Sequence, residues 1–222
     1  MTAAAADDVQ ARAAAYDTLA QRDAGLARLI ARHGTPDPFS WDVLDAAAGA
    51  DAFAELSLHI VSQQISTAAA LTIFGRIHGV LGGTIAAEQI VAVSDDELRA
   101  AGLSGAKARS LRDLAERVLD GRVSFARLAV SDDAAASGEL QAVRGIGPWS
   151  AQMFLLHSLR RPDILPAADV GLLRAAQSAF ALPRRPTADE LAARAERWRP
   201  FRSYAAALLW ADATDPTARS VP

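Results

Sequence analysis

Leu140-Gln141-Ala142-Val143-Arg144-Gly145-Ile146-Gly147-Pro148-Trp149-Ser150-Ala151 decides how this 222-residue chain is read. An amphipathic helix runs into Gly-Ile-Gly, and a second helix begins at once, with Pro148 suited to its first turn. The two glycines predict a tight turn with positive φ and a close approach of the backbone by a partner. Ile146 can plug the hairpin's own core, and small Ala151 lets the two helices pack closely. The amides that open the second helix form an anion site, so a phosphate fits there without any lysine or arginine. A lone Gly-x-Gly is usually a helical hairpin that turns a corner. Here the pattern extends over Leu140, Val143, Ile146, Trp149 and Ala151.

On both sides of this stretch, helical periodicity recurs along the whole chain. Tyr16, Leu19, Leu26, Leu29 and Ile30 fall at helical spacings within residues 1–34, and Gly34 ends that run. Prolines 36 and 38 break helix next. Residues 51–63 read as an apolar helix, and Ser66 caps another over 67–81 that ends at Gly82-Gly83. Ser94-Asp95-Asp96-Glu97 and Thr187-Ala188-Asp189-Glu190 are capping boxes. Ser104 opens a helix over 105–119, Ser131 caps one running towards Val143, and the last helix follows Pro200.

Alanine dominates the 51% hydrophobic content and aromatics are sparse at 6%, a balance that favours an all-α protein. There is no cysteine, which excludes disulfides, thiolate zinc sites, iron–sulfur clusters and cysteine nucleophiles. His33, His59, His78 and His157 show no metal-ligand spacing. The acidic start MTAAAADD is unlike a secretory signal, and no apolar run reaches the ~20 residues of a bilayer span. A cytoplasmic protein is expected, with no membrane partner. The net charge of −3 argues against an extended basic surface, so a nucleic-acid role would need few phosphate contacts, backbone amides or a local basic patch.

Three further segments carry chemistry. Arg161-Pro162-Asp163-Ile164-Leu165-Pro166-Ala167-Ala168-Asp169-Val170-Gly171-Leu172 puts Asp169 22 residues after Gly147, at the start of a helix. By itself Asp169 reads first as a helix N-cap; Asp163, ahead of Pro166, is a rival carboxylate in a loop. Ser62-Gln63-Gln64-Ile65-Ser66 closes the apolar helix, and two glutamines alone could be a polar helix end. Trp198-Arg199-Pro200-Phe201-Arg202-Ser203-Tyr204 precedes the last helix.

Together these motifs resemble the helix-hairpin-helix (HhH-GPD) superfamily of DNA glycosylases, and within it the DNA-3-methyladenine glycosylase II family, over residues 15–212. The resemblance implies a two-lobed helical fold without the N-terminal β domain of longer relatives. The chain is then one catalytic unit over 1–222. A middle lobe of about 66–165 holds the hairpin at 140–158; residues 1–65 and 166–222 form the other lobe, and the cleft between them receives a flipped nucleotide.

The resemblance also implies roles. Asp169 is the catalytic carboxylate, stabilising the oxocarbenium ion that forms as an N-glycosidic bond breaks and orienting water. Gly145, Ile146, Gly147 and Ser150 grip the DNA backbone. The carbonyls of Gln141, Val143 and Ile146 hold a structural Na+ or K+; no other cofactor is required. Gln64 enters the gap left by the flipped nucleotide, with Gln63 beside it. Trp149 and Met153 line the base pocket, the indole stacking on a cationic alkylated purine for ~0.5–2 kcal/mol. Lys107 and Arg109, near the start of the 105–119 helix, contact DNA or sit on a solvated face. The C-terminal motif packs the catalytic lobe, with Arg202 as a buttress.

Lyase members of the superfamily place a Schiff-base lysine where this chain has Trp149. The sole lysine, Lys107, lies elsewhere. The expected protein is therefore a monomeric, monofunctional hydrolase of base excision repair that releases 3-methyladenine- or 7-methylguanine-type bases from damaged double-stranded DNA. Two alternatives stand beside it: a glycosylase for hypoxanthine or an oxidised base, and a non-catalytic binder of distorted DNA.

Overall fold

The structure, a computed structural model, describes residues 3–40, 49 and 51–215. Every regular element among the described residues is helical, as the alanine-rich, cap-punctuated sequence predicts. In chain order they are α1 Ala3–Arg22, α2 Ala24–His33, α3 Ala52–Ser62, α4 Thr67–Val80, α5 Ala87–Ala92, α6 Asp95–Ala100, α7 Gly105–Leu119, α8 Phe125–Val130, α9 Asp133–Gln141, α10 Pro148–His157, α11 Val170–Ala179, α12 Ala188–Ala195 and α13 Arg202–Thr214. A 3-10 turn, Glu196–Trp198, precedes α13. Among the described residues no helix is long and apolar enough to cross a membrane.

Local signals set most of the boundaries. Ser94 with Glu97, and Thr187 with Glu190, form complete capping boxes. Ser66 and Ser104 each accept an amide of the first turn that follows. Two expectations change. Ser131 ends α8, and Asp132 caps α9 instead, its carboxylate accepting the Ala135 amide at 2.8 Å. The helical pattern within 1–34 breaks at Asp23, which caps α2 through the Gly25 amide.

The reason for that break is tertiary. Asp23 is buried and forms an ion pair with Arg194 at 3.0 Å, and it accepts the indole N–H of fully buried Trp198 at 3.1 Å. Burial would raise its pKa, but the bonds from Arg194, Trp198 and the Gly25 amide outweigh burial and hold the carboxyl below its usual range. A Cβ at Gly25 would lie 2.4 Å from the Phe180 ring, so only glycine lets α2 approach so closely.

The chain divides into two compact units, Met1–Phe39 with Arg160–Pro222, and Ser40–Leu159. The core of the first includes Tyr16, Leu19, Leu26, Leu172, Trp198, Leu208 and Leu209, where α11 and α2 pack on α13. The second buries Leu56, Ile60, Ile77, Ile90, Leu98, Leu111, Leu114 and Phe154. Burial of each such side chain contributes about 1.5–3 kcal/mol.

The boundaries differ from those expected. Residues 51–65 belong to the middle unit, and that unit ends at Leu159, not near 165. The physical cause is the apolarity of α3, which buries Phe53, Leu56, Leu58, Ile60 and Val61 and packs against α4, α7 and α10.

Candidate functional site

The hairpin forms as the sequence predicts, from α9 and α10. Its glycines are not equivalent. Gly145 has φ +79°, and a Cβ there would meet Ser110 Oγ at 2.4 Å. Gly147 has φ −93°, an ordinary N-cap conformation, and a Cβ there meets nothing within 4 Å. Positive φ is therefore needed at one of the two positions. Ile146 is buried, Pro148 opens α10, and no side chain caps that helix, which leaves its N-terminal dipole for an external anion.

On α10, Trp149 is 38% exposed and Met153 is buried at 4%, so the indole is the more accessible of the two pocket candidates. Ser150 is buried as well. Its hydroxyl lies 3.1 Å from Gln63 Nε2, which also donates to the Gly145 carbonyl at 3.0 Å. Gln63 and Ser150, both expected to face DNA, thus bond to each other. Gln64 is exposed and has φ +59°. A left-handed conformation at a side chain of this kind costs on the order of 1 kcal/mol.

Lys107 is not on a solvated face. Its ammonium donates to the carbonyls of Val61 at 2.8 Å and Gln63 at 2.7 Å, and burial pushes its pKa below the ordinary value. Nothing in the sequence signals this beyond a single lysine in an arginine-rich chain.

Basic surface lies next to the hairpin instead. Arg109, Arg112, Arg117 and Arg144 line a cleft of about 400 Å³ with Asp113 and Glu116. Arg112 bonds to Asp95, and Arg117 to Asp113. The Asp113 carboxylate also accepts the Arg144 backbone amide at 2.7 Å, and Arg144 is exposed beside the hairpin turn. Four arginines thus share this cleft with two carboxylates.

In the other unit, Asp169 is the N-cap of α11. Its Oδ1 accepts the Leu172 amide at 2.9 Å and the indole N–H of Trp210 at 3.2 Å. Both of these bonds fall on Oδ1, so the capping role of Asp169 fixes the orientation of its carboxylate. Gly171 sits close to this pair: a Cβ there would press on Asp169 Oδ1 at 3.0 Å and touch Trp210 at 3.7 Å.

The rival carboxylate has a structural role. Asp163 is held by Arg199 at 2.7 Å and by Arg202 Nε at 2.8 Å. Ser203 Oγ accepts the Ile164 amide at 3.0 Å and donates to the Arg161 carbonyl at 2.6 Å. The C-terminal Arg-Pro-Phe-Arg-Ser motif therefore pins the loop that delivers Asp169, and Arg202 supports that loop through Asp163.

The profile of the HhH-GPD superfamily base excision DNA repair proteins matches residues 58–200. This chain belongs to that superfamily. A relative from Mycobacterium tuberculosis, a "probable bifunctional transcriptional activator/DNA repair enzyme AlkA", is 34% identical over 169 residues, covering 71% of this chain. The chain spans 32% of that relative's length. Among solved structures, a DNA-3-methyladenine glycosidase from Bacillus halodurans is 32% identical with a TM-score of 0.77, covering 91% of this chain and 89% of that one. The Schizosaccharomyces pombe 3-methyladenine DNA glycosylase Mag1, solved in complex with abasic DNA, is 27% identical with a TM-score of 0.79, covering 91% and 97%.

The superfamily match spans α3 to the loop before α13 and includes Gln64, the hairpin and Asp169. Trp210 falls beyond it, half-buried on α13, and its role was not visible in the sequence. An i, i+41 pairing carries no local periodic signal.

Proposed function

We propose that this protein is a monofunctional DNA glycosylase that hydrolyses the N-glycosidic bond of alkylated bases, of the 3-methyladenine and 7-methylguanine type, in double-stranded DNA. The observation that carries the reading is Asp169, a carboxylate oriented through one oxygen by Trp210 and the Leu172 amide, in a chain of the HhH-GPD superfamily. The names of the two similar solved structures, both 3-methyladenine glycosylases, support the same lesion class.

The chemistry follows from the residues. An N-alkylated purine carries positive charge, so the bond to C1′ breaks with its electron pair leaving on the base, which departs neutral. Positive charge passes to the sugar, and a fixed carboxylate stabilises it. Water then adds at C1′ and gives up its proton, with Asp169 as acceptor or orienting group. The hairpin amides bind a backbone phosphate, Gln64 fills the vacated stack, and Trp149 offers an electron-rich face to the cationic base. No lysine amine is available for a Schiff base, because the ammonium of Lys107 is engaged by two carbonyls.

The hairpin carbonyls of Gln141, Val143 and Ile146 suit a Na+ or K+ ion. Val143 O accepts the Ile146 amide at 3.1 Å, and a carbonyl keeps a second lone pair for a cation. Three neutral oxygens without a carboxylate favour a monovalent ion, whose charge would draw a phosphate to the turn.

The test is release of 7-methylguanine and 3-methyladenine from methylated duplex DNA by the wild type and by Asp169→Asn. Asparagine preserves the cap and removes the charge. Release is expected to fall by about 10²-fold or more. Equal release by both proteins would remove Asp169 from this role.

A further inference from the structure

The turn after α3 and the hairpin turn are both registered on one face of α7. Lys107 and Ser110 are three residues apart, on the same side of that helix. Lys107 donates to the carbonyls of Val61 and Gln63, oxygens at the end of α3 where intrahelical partners run out and partial negative charge collects. Ser110 lies under Gly145, close enough that a Cβ there would be 2.4 Å from its hydroxyl. Gln63 closes the triangle, crossing to the Gly145 carbonyl and to Ser150. Gln64, the next residue, is exposed and left-handed.

We infer that Lys107 is a positioning residue for nucleotide flipping: through the Gln63 carbonyl it holds Gln64 in its strained conformation and in fixed register with the phosphate-binding hairpin. The inference rests on the base-release reading above and deepens it. A non-glycine residue at φ +59° persists where its surroundings over-determine it. The two carbonyl bonds from Lys107 and the Gln63 side-chain bonds do so here. With the ammonium removed, the turn is released to right-handed conformations, and the wedge loses its register. With the Gln63 amide removed, the turn keeps only the Lys107 bonds and loses its link to the hairpin. Neither change touches Asp169, and neither alters a step that follows flipping.

The experiment compares single-turnover release of 7-methylguanine from a duplex with release from the same oligonucleotide as a single strand, which has no partner strand to displace. The proteins are wild type, Lys107→Met and Gln63→Leu. The duplex-to-single-strand rate ratio is expected to fall roughly tenfold in each variant, the scale of losing a charged hydrogen bond. The double variant is expected to fall no further than the worse single one, as for residues of one network. Equal losses on both substrates would assign the pair to scaffold stability and overturn the inference, as would an unchanged ratio. Gln63→Leu carries the test alone if Lys107→Met does not fold. A wild type that releases no base from either substrate would instead overturn the reading on which the inference depends.

Discussion

The indole N–H of Trp210 donates to Asp169 Oδ1 at 3.2 Å, on the oxygen that also caps α11. One oxygen of the carboxylate is thereby anchored from two directions, one local in sequence and one 41 residues away. Trp210→Phe keeps the packing of the ring and removes this donor. We expect kcat for 7-methylguanine release to fall by roughly 10-fold or more with KM nearly unchanged, because orientation of a charge-stabilising group is used in the transition state. A rise in KM alone would place Trp210 in binding instead.

The hairpin glycines should respond differently to the same substitution. Gly145→Ala meets a left-handed backbone and a clash with Ser110, and should cost about 2–4 kcal/mol. Gly147→Ala, at φ −93° with open space around its Cβ, should cost less than about 1 kcal/mol. Urea unfolding of the two variants checks this, and a reversed order would contradict the geometry of the turn.

Arg144, exposed beside the hairpin turn, lines the arginine-rich cleft. If that cleft follows the DNA backbone, Arg144→Ala should weaken duplex binding irrespective of sequence. It should also reduce the slope of log K against log salt by about 1. Binding titrations over a range of salt concentrations measure both effects, and an unaltered slope would exclude a phosphate contact at this position.

Acid should destabilise the middle unit through His59. Burial, with repulsion from His157, pushes its pKa down to about 3. The unfolded chain takes up a proton near pH 6.5, its ordinary value, and the folded chain does not until pH falls to about 3. Between those values the unfolded state binds more protons, so stability falls as pH falls, by at most ~1.4 kcal/mol per pH unit from this group. Chemical denaturation of wild type and His59→Leu at pH 7.5 and 5 tests it. The variant should lose less stability between the two pH values, whatever its stability at pH 7.5; equal losses would assign the acid sensitivity to other groups.

Much of this molecule was legible residue by residue. Ser66, Ser94, Ser104 and Thr187 announced helix starts because a hydroxyl at that position bonds an amide two or three residues on, an interaction complete within one turn. Gly145-Ile146-Gly147-Pro148 announced the hairpin by an equally local signal, and the family resemblance then singled out Asp169 at the head of α11. Cysteine and lysine content narrowed the chemistry before any fold was considered.

Helicity, helix punctuation and the hairpin could thus be read along the chain. Which side chains meet depended on packing: Lys107 with the end of α3 across 46 residues, Trp210 with Asp169, Asp163 with Arg199 and Arg202, and Asp23 with Arg194 and Trp198 at the break between α1 and α2. It also moved α3 into the middle unit. The physical reason is one of range. Caps and glycine turns are settled by bonds within a few residues, whereas the partner of a buried charge is whichever donor packing carries to it, and burial then makes that pairing obligatory.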